Sequence, residues 1–525
     1  MSVAPSPVST SLWRPLRSST FRNLLIADVV SDVGTFMQSV GAAWLMVSLK
    51  AGPMYVALTQ TASALPFFLL ALPAGAIGDI IDRRKVILFT EIWMVVVASL
   101  LSVMTIAGSM SPVLLLILTF ALSAGDAFET PTWRAVLPEL VQKEDLPAAS
   151  ALNGIEFNFA RAVGPALAGF VIAFAGIGAA FLLNTASFVG VIVVIALWKR
   201  PAVKRTTPPE TVTGATVAAI RYVRYSPAVR VVLSRAGTAM FFASGLLALL
   251  PSIAHRADDS PVGYGMLLGC FGAGAVLGAV VMQRARSRWS ADTIVSVGIA
   301  IFGLATIAGG TLRHLFPLAA VMLIGGAAWI SFISLFNVQV LNQTPDWVRA
   351  RVLAVSMLVF QGAVAAGSAT WGAIAARAGL EAALLCAGIG TILSTVLGLF
   401  LRLPEGSVDL TPWNHWRLPL VSAANTAADG PVLVTVEYQV DPGQVSEFLK
   451  TIHQYGRVRR RDGASRWGIC RDLEIADHYL ETFIVSSWAE HLRQHDRLIR
   501  EDRHVEERLR SCTLSEPKVR HLVFL

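Results

Sequence analysis

Two aspartates, Asp28 and Asp32, stand four residues apart inside an apolar run. At that spacing they share one helix face. A carboxylate is costly in apolar surroundings, and one carboxyl makes its neighbour harder to ionise, so such a pair suits taking up and releasing a proton. Counted at about 1.5 Å per residue from Phe21, Asp32 lies about 16 Å into its run. Asp126 and Glu129 fall in a later run, and Glu156 and Arg161 in the one after. These four are expected to form an ion-pair cluster joining two helices and are further candidates for proton coupling. Arg134 and Glu139 read as a cytoplasmic lock or as plain loop charges. The second half of the apolar region has almost no buried charge. It offers Asn337, Gln339, Asn342 and Gln361 instead, with Trp329 and Trp371 nearby. Of these, Asn337, Gln339, Gln361 and Trp371 are the candidate lining of a substrate cavity, one that suits an amphipathic, partly aromatic molecule.

Other chemistries find little support. Cys270, Cys386, Cys470 and Cys512 form no close pair, which gives neither a zinc spacing nor a disulfide framework. His491 and His495 are four apart beside Glu490, a spacing that fits a metal. A solvated helix face has the same spacing, and no metal is expected. No flavin, haem or nucleophile motif occurs, so no cofactor is expected. No G-x-x-x-x-G-K-[ST] motif occurs either, which argues against built-in ATP hydrolysis.

The elements that must hold these residues are membrane spans. Of 525 residues, 54% are hydrophobic and only 15% charged, where soluble domains carry about a quarter. A span takes about 20 apolar residues. That window gives twelve: 22–48, 54–77, 86–108, 112–132, 150–173, 177–198, 229–251, 262–283, 292–310, 315–338, 352–374 and 379–401. The N-terminal residues do not read as a cleaved signal. Lys and Arg concentrate in alternate loops, such as Arg83, Arg84 and Lys85, then Lys199 to Arg224, then Arg284, Arg286 and Arg288. By the positive-inside rule both termini are cytoplasmic and the protein is a multi-pass protein of the cytoplasmic (inner) membrane. The net charge of +8 therefore sits in loops, and no nucleic-acid partner is expected.

The chain divides into a cytoplasmic segment 1–21, a six-helix half 22–198, a linker 199–228 with an amphipathic stretch 215–225, and a second half 229–403. A linker 404–430 follows, with Trp413 and Trp416 at the membrane interface. Last comes a soluble domain 431–525. There the pattern reads strand 432–440, helix 442–455, strand 465–470, strand 479–485, a charged helix 488–510 and strand 519–525, a ferredoxin-like α+β plan. The fold class is an all-α polytopic membrane protein of two six-helix halves, plus this small domain.

On these features the chain resembles the major facilitator superfamily, in the branch of the enterobactin exporter and the transmembrane secretion effectors. Six plus six spans about a central loop is that arrangement. Between spans two and three, Gly75, Asp79, Arg83 and Arg84 match the family's gating motif, while Ile80 and Asp82 depart from its Arg and Gly. The equivalent loop of the second half, 283–288, lacks the Asp. In span five, Gly164, Pro165 and Gly169 match the motif of proton-coupled antiporters, with Ala160 and Ala168 where it has Gly. The tail resembles antibiotic-biosynthesis-type monooxygenase domains, which pair through their sheets. The resemblance implies a secondary exporter of a siderophore-like or drug-like molecule, driven by protons. Its partners would be that substrate, protons, membrane lipid and a second copy through the tail. The competing readings are a tethered enzyme with its chemistry in the tail, and a non-transporting sensor or scaffold.

Overall fold

Lipid offers backbone groups no hydrogen-bond partner, so long apolar runs cross it as helices. The computed structural model describes residues 11–198, 212–404, 406, 408–411, 413 and 430–524. Among these residues, twelve helices are long and apolar enough to cross a membrane. The first six are α1 (Ser19–Ser48), α2 (Gly52–Ile80), α3 (Arg83–Ile106), α4 (Pro112–Leu140), α5 (Leu146–Ala175) and α6 (Ile177–Leu197). A linker helix follows, α7 (Val212–Tyr225), where the amphipathic stretch is expected. The second set is α8 (Pro227–Ala257), α9 (Pro261–Ala285), α10 (Ala291–Thr311), α11 (Leu315–Asn342), α12 (Asp346–Ala378) and α13 (Leu380–Ser394), the last prolonged by a short turn, α14 (Leu397–Phe400).

Local chemistry sets the boundaries. Ser18, Ser111, Ser260 and Ser290 each accept a backbone N–H in the first turn of α1, α4, α9 and α10, as capping serines do. Asp82 does the same for α3 through the Arg84 N–H at 2.9 Å. Two one-residue turns, between α5 and α6 and between α12 and α13, each use a glycine at positive φ, Gly176 at 83° and Gly379 at 89°. A side chain there would be strained.

Within the first half α1 packs on α5 and α6, α2 on α4, and α3 on α4 and α6. Gln38 and Asn184, both buried, are hydrogen-bonded across α1 and α6. In the second half α10 packs on α13, and buried Arg235 of α8 pairs with Asp292 at the start of α10.

The halves meet along α5 and α9. A Cβ on Gly265 would lie 2.9 Å from the Pro165 carbonyl oxygen, and one on Gly169 would lie 3.0 Å from that of Pro261. Trp44 of α1 stacks on Tyr264 of α9 at 6.0 Å. Further toward the side of the basic loops the same α5 face is uncovered. Ala151, Gly154 and Asn158 are exposed, as are Val276 and Val280 on α9. The halves therefore close away from the basic side and part toward it.

A second compact unit comprises Thr207–Leu233, Phe336–Ser356 and Leu403–Leu525. It holds α7, the turn from α11 into α12, and the tail. The tail runs β1 (Val432–Gln439), α15 (Val445–Asp462), β2 (Ser465–Arg471), β3 (His478–Val485), α16 (Trp488–Arg497), α17 (Arg500–Ser511) and β4 (Lys518–Val523). The strand order is β2-β3-β1-β4, every pair antiparallel, with Val434 opposite Phe483 and His521. Alternate residues Val432, Val434, Val436 and Tyr438 pack with Phe448, Ile452 and Tyr455 of α15 in one core.

Two expectations for the tail need correction. The helix expected to end at Tyr455 runs on to Asp462, where Gly463 at φ 146° stops it. The charged helix 488–510 is two helices. It breaks at buried Leu498 and Ile499 because the chain there bonds to the preceding linker: Trp413 N–H donates to the Leu498 carbonyl at 2.9 Å, and Arg500 N–H to that of Thr411 at 3.1 Å. Trp416 lies outside the described residues.

Candidate functional site

The acidic candidates of the first half do converge. Asp32 of α1 and Glu156 of α5 lie side by side, and Asp28 lies within electrostatic reach of both. Asp126 of α4 faces Asp32, and its Oδ1 accepts from Thr130 Oγ1 at 3.2 Å. Glu129, one turn away, accepts from Thr90 Oγ1 of α3 at 2.7 Å. Beside it is a residue that the sequence reading passed over. Glu91 of α3 is 2% exposed and lies beside Glu129. One oxygen each of Glu91 and Glu156 is buried without a partner. The site is thus six carboxyls from four helices, holding two carboxyl–carboxyl contacts.

Arg161 does not join them. It makes no ion pair with Glu156, and among the described residues it has no hydrogen bond or ion pair at all. Pro165 lacks the N–H that would bond the Arg161 carbonyl in the α5 ladder. Gly164 abuts α1, where a Cβ would meet Phe36 at 2.6 Å, while Pro165 and Gly169 abut α9. The antiporter-like motif therefore gives α5 two close neighbours at once.

The gating motif is described only in part. Gly75 and Asp79 lie in helical backbone of α2, but their side chains are outside the described set. Arg83 donates to Glu139 Oε1 at 2.8 Å and to the Ala135 carbonyl at 2.7 Å, tying α3 to the end of α4. Of the two readings of Glu139, cytoplasmic lock or plain loop charge, the ion pair with Arg83 fits the first. Arg84 donates to the last carbonyls of α6, those of Ile195 at 3.0 Å and Ala196 at 2.5 Å. A cation there complements the negative end of the helix dipole.

The polar candidates of the second half are dispersed. Asn337 is exposed and Gln361 half-buried. Gln339 is buried with an unpartnered Oε1. Trp371 is 5% exposed, and its indole N–H donates to the Phe241 carbonyl at 2.9 Å, so it joins α12 to α8. Trp329 packs among Phe271, Phe302 and Phe332.

In the tail, His491 is not on a solvated face; it is 3% exposed. Its Nε2 lies 3.2 Å from that of His495, and its ring 4.8 Å from that of His521. Burial first, and then these two neighbours, push its pKa down to about 3. No group of three metal-ligating side chains occurs among the described residues. The tail core instead carries a hydrogen-bonded charge network. Glu481 accepts from Tyr438 at 2.9 Å and from the Trp467 indole at 2.7 Å, and Arg459 lies 3.6 Å away.

Comparison with known proteins follows the same lines. The family of transmembrane secretion effectors matches residues 10–524. The chain is 23% identical over 390 residues to the staphyloferrin A transporter of Staphylococcus aureus, covering 70% of this chain and 93% of that one. It is 23% identical over 398 residues to the multidrug efflux pump Tap of Mycolicibacterium fortuitum, covering 73% and 96%. Two solved structures share the fold. One is a POT family transporter in complex with 5-aminolevulinic acid, with TM-score 0.61, 13% identity, and 73% and 96% coverage. The other is a bacterial homolog of the human lysosomal transporter Spinster, inward-facing and occupied, with TM-score 0.60, 12% identity, and 74% and 97% coverage. All four are transporters.

Proposed function

The chain belongs to the transmembrane secretion effector family of major-facilitator-type transporters, and from that premise we propose that it is a proton-driven exporter of a siderophore-like or drug-like molecule. The relatives named for staphyloferrin A transport and multidrug efflux support that substrate range. The observation that carries proton coupling is the convergence of six carboxyls in one half, with Glu91 and Glu156 buried and each keeping an oxygen without a partner. Neighbouring carboxyls disfavour each other's ionisation, and a buried site makes full ionisation costly, so such a cluster suits holding a proton. In the present state the halves part toward the basic side. On the Lys and Arg distribution that side is cytoplasmic, with both termini, and the membrane is the cytoplasmic membrane. Substrate enters there as the proton leaves. Opening to the more acidic outside reloads Asp32 and releases substrate. Binding of each ligand disfavours the other. Gly75, Asp79, Arg83 and Arg84 bias the two states rather than touch substrate. Of the polar candidates on the second half, half-buried Gln361 is the one proposed to line the gap between the halves.

The tail is read as a ferredoxin-like, monooxygenase-related module that assembles rather than catalyses. Its strand order supports that plan. Its second sheet face carries Leu433, Leu480 and Ile484, with Leu522 half exposed, and a second copy would pair there.

The deciding test uses the full chain in vesicles with an imposed proton gradient and a panel of iron-chelating and drug-like compounds. Asp32→Asn fixes the neutral form. It should abolish uphill export and substrate-linked proton flux while leaving downhill exchange. Uphill export with unchanged proton flux in that variant would remove Asp32 from coupling.

A further inference from the structure

Arg161 stands about halfway along α5, a membrane helix of 30 residues. A guanidinium at mid-membrane is expensive and is ordinarily paired. Two arginines of the second-half spans follow that rule. Arg235 pairs with Asp292, and Arg256 lies 3.5 Å from Glu381 and donates to two helix-end carbonyls. Arg161 has no such partner among the described residues, although six carboxyls occupy the same half.

Its position on α5 says where it faces. At about 100° per residue, Gly154, Asn158, Arg161 and Pro165 fall within about 60° of one another. Pro165 meets Gly265 of α9 on that face, whereas Gly154 and Asn158 below it are exposed. The opposite face carries Leu167, Phe170 and Phe174, exposed by 43%, 61% and 77%, which is the composition of a lipid contact. Arg161 therefore looks into the space between the halves. Just above it the halves touch, since a Cβ on Gly272 would lie 3.2 Å from the Ala162 Cα. The guanidinium marks the closed end of the gap. Glu156, on the same helix, lies about 7.5 Å nearer the open end at the α-helical rise.

We propose that Arg161 is an anion-binding residue of the transport pathway, and that the transported molecule carries a carboxylate or an equivalent anionic group which seats on it. The planar fork of a guanidinium suits a carboxylate, and the apolar surroundings strengthen the contact. The remainder of the molecule extends toward the carboxyl cluster, where neutral or cationic groups are tolerated. The assignment deepens the transport reading and rests on it for its physiological meaning. The binding chemistry is testable without transport.

The experiment measures binding at equilibrium, in detergent and without a gradient, by quenching of tryptophan fluorescence. The probes are a matched pair, 1-naphthylacetate and 1-naphthylacetamide, which differ in charge and hardly in shape. The full-length wild type should bind the acid at least tenfold more tightly than the amide. Arg161→Gln should bring the two affinities together by weakening the acid alone. Arg161→Lys should retain part of the preference. Unchanged amide binding in each variant reports an intact fold. Equal affinities in the wild type, no acid binding at millimolar concentration, or a preference that survives Arg161→Gln would each overturn the proposal. So would loss of proton coupling in Arg161→Gln with the acid preference intact, because Arg161 would then be a counter-ion of the carboxyl cluster. Failure of export with the preference present would instead count against the transport reading alone.

Discussion

Glu91 sits in the apolar run VILFTEIWMVV and is the sole acid of its span. The signal that identified Asp32 was present there too. Spacing does not reveal it, because Glu91 has no acid one turn away along its own helix; its neighbour Glu129 comes from α4. Spacing along one helix reveals pairs such as Asp28 and Asp32, but pairs between helices need the packing. The same limit applies to Arg161 and Glu156, which are close in sequence and do not pair. Glu91→Gln keeps shape and removes one ionisable group. Its expected effect is a severalfold loss of uphill transport with near-normal downhill exchange and stability, and proton flux in vesicles measures it. A wild-type proton-to-substrate ratio would leave Glu91 a packing residue. His491 gives a prediction of the opposite kind. Its pKa in the tail is pushed down to about 3, against about 6.5 for a free histidine. Between those values the unfolded chain binds a proton and the native tail does not, so the stability from neutral His491 is lost as pH falls from about 6.5. Asp462, raised to about 6 chiefly by burial, acts the other way across its own range. The comparison that isolates His491 is therefore with His491→Phe. Hydrogen exchange in β1 and α15 of the full chain should accelerate more on acidification in the wild type than in the variant, by tenfold or more between pH 6.5 and 4.5. Parallel acid responses would count against a buried neutral imidazole.

At the scale of elements, the twelve spans were legible because hydrophobic length is a property of each segment alone. Their ends extend beyond the apolar windows, as at α4, which runs to Leu140 where the window stops at 132. Polar residues prolong a helix outside the hydrocarbon layer. Which helices touch was less legible. Small residues mark close packing, but α9 carries Gly263, Gly265, Gly269, Gly272, Gly274 and Gly278, and the sequence does not say which of them bear it. The structure separates them. A Cβ on Gly265 would meet backbone, the Pro165 oxygen at 2.9 Å and the Gly169 Cα at 3.0 Å, which cannot give way without moving a helix. At Gly269 the nearest atom is the Ala166 Cβ at 3.8 Å, an ordinary contact. Gly265→Val should push α5 from α9 and cut transport by tenfold or more. Gly269→Ala should stay within about twofold of wild type. Cysteine pairs at Ala166 and Gly269 should cross-link readily in the wild type and poorly beside Gly265→Val. Equal tolerance at the two sites would mean that this seam is not packed as described.

At the scale of the whole chain, α7, the start of α12 and the tail belong to one compact unit. In sequence the linker and the tail look separate, because ion pairs between residues some 270 apart leave no local trace. Arg497 stands at the centre. It is 4% exposed, donates to the Asp462 carbonyl at 2.6 Å and to Glu490 at 2.5 Å, and lies 4.5 Å over the ring of Trp347 in the first turn of α12. Arg221 of α7 reaches the same Glu490 at 3.3 Å, and Tyr222 beside it donates to the Gln343 carbonyl at 2.8 Å. The two arginines differ in what their loss leaves behind. Without Arg221, Glu490 keeps Arg493 and Arg497, so Arg221→Ala should cost about 1 kcal/mol or less, as for a partly exposed pair. Without Arg497, a buried carboxylate loses its closest partner and Trp347 its covering cation, and such a loss costs about 3–5 kcal/mol. If the unit is cooperative, Arg497→Ala should speed hydrogen exchange together in 212–225, 343–352 and 445–462, while Arg221→Ala changes all three little. Faster exchange confined to the tail, with α7 and the start of α12 at wild-type rates, would show that the three segments fold independently and that Arg497 stabilises the tail alone.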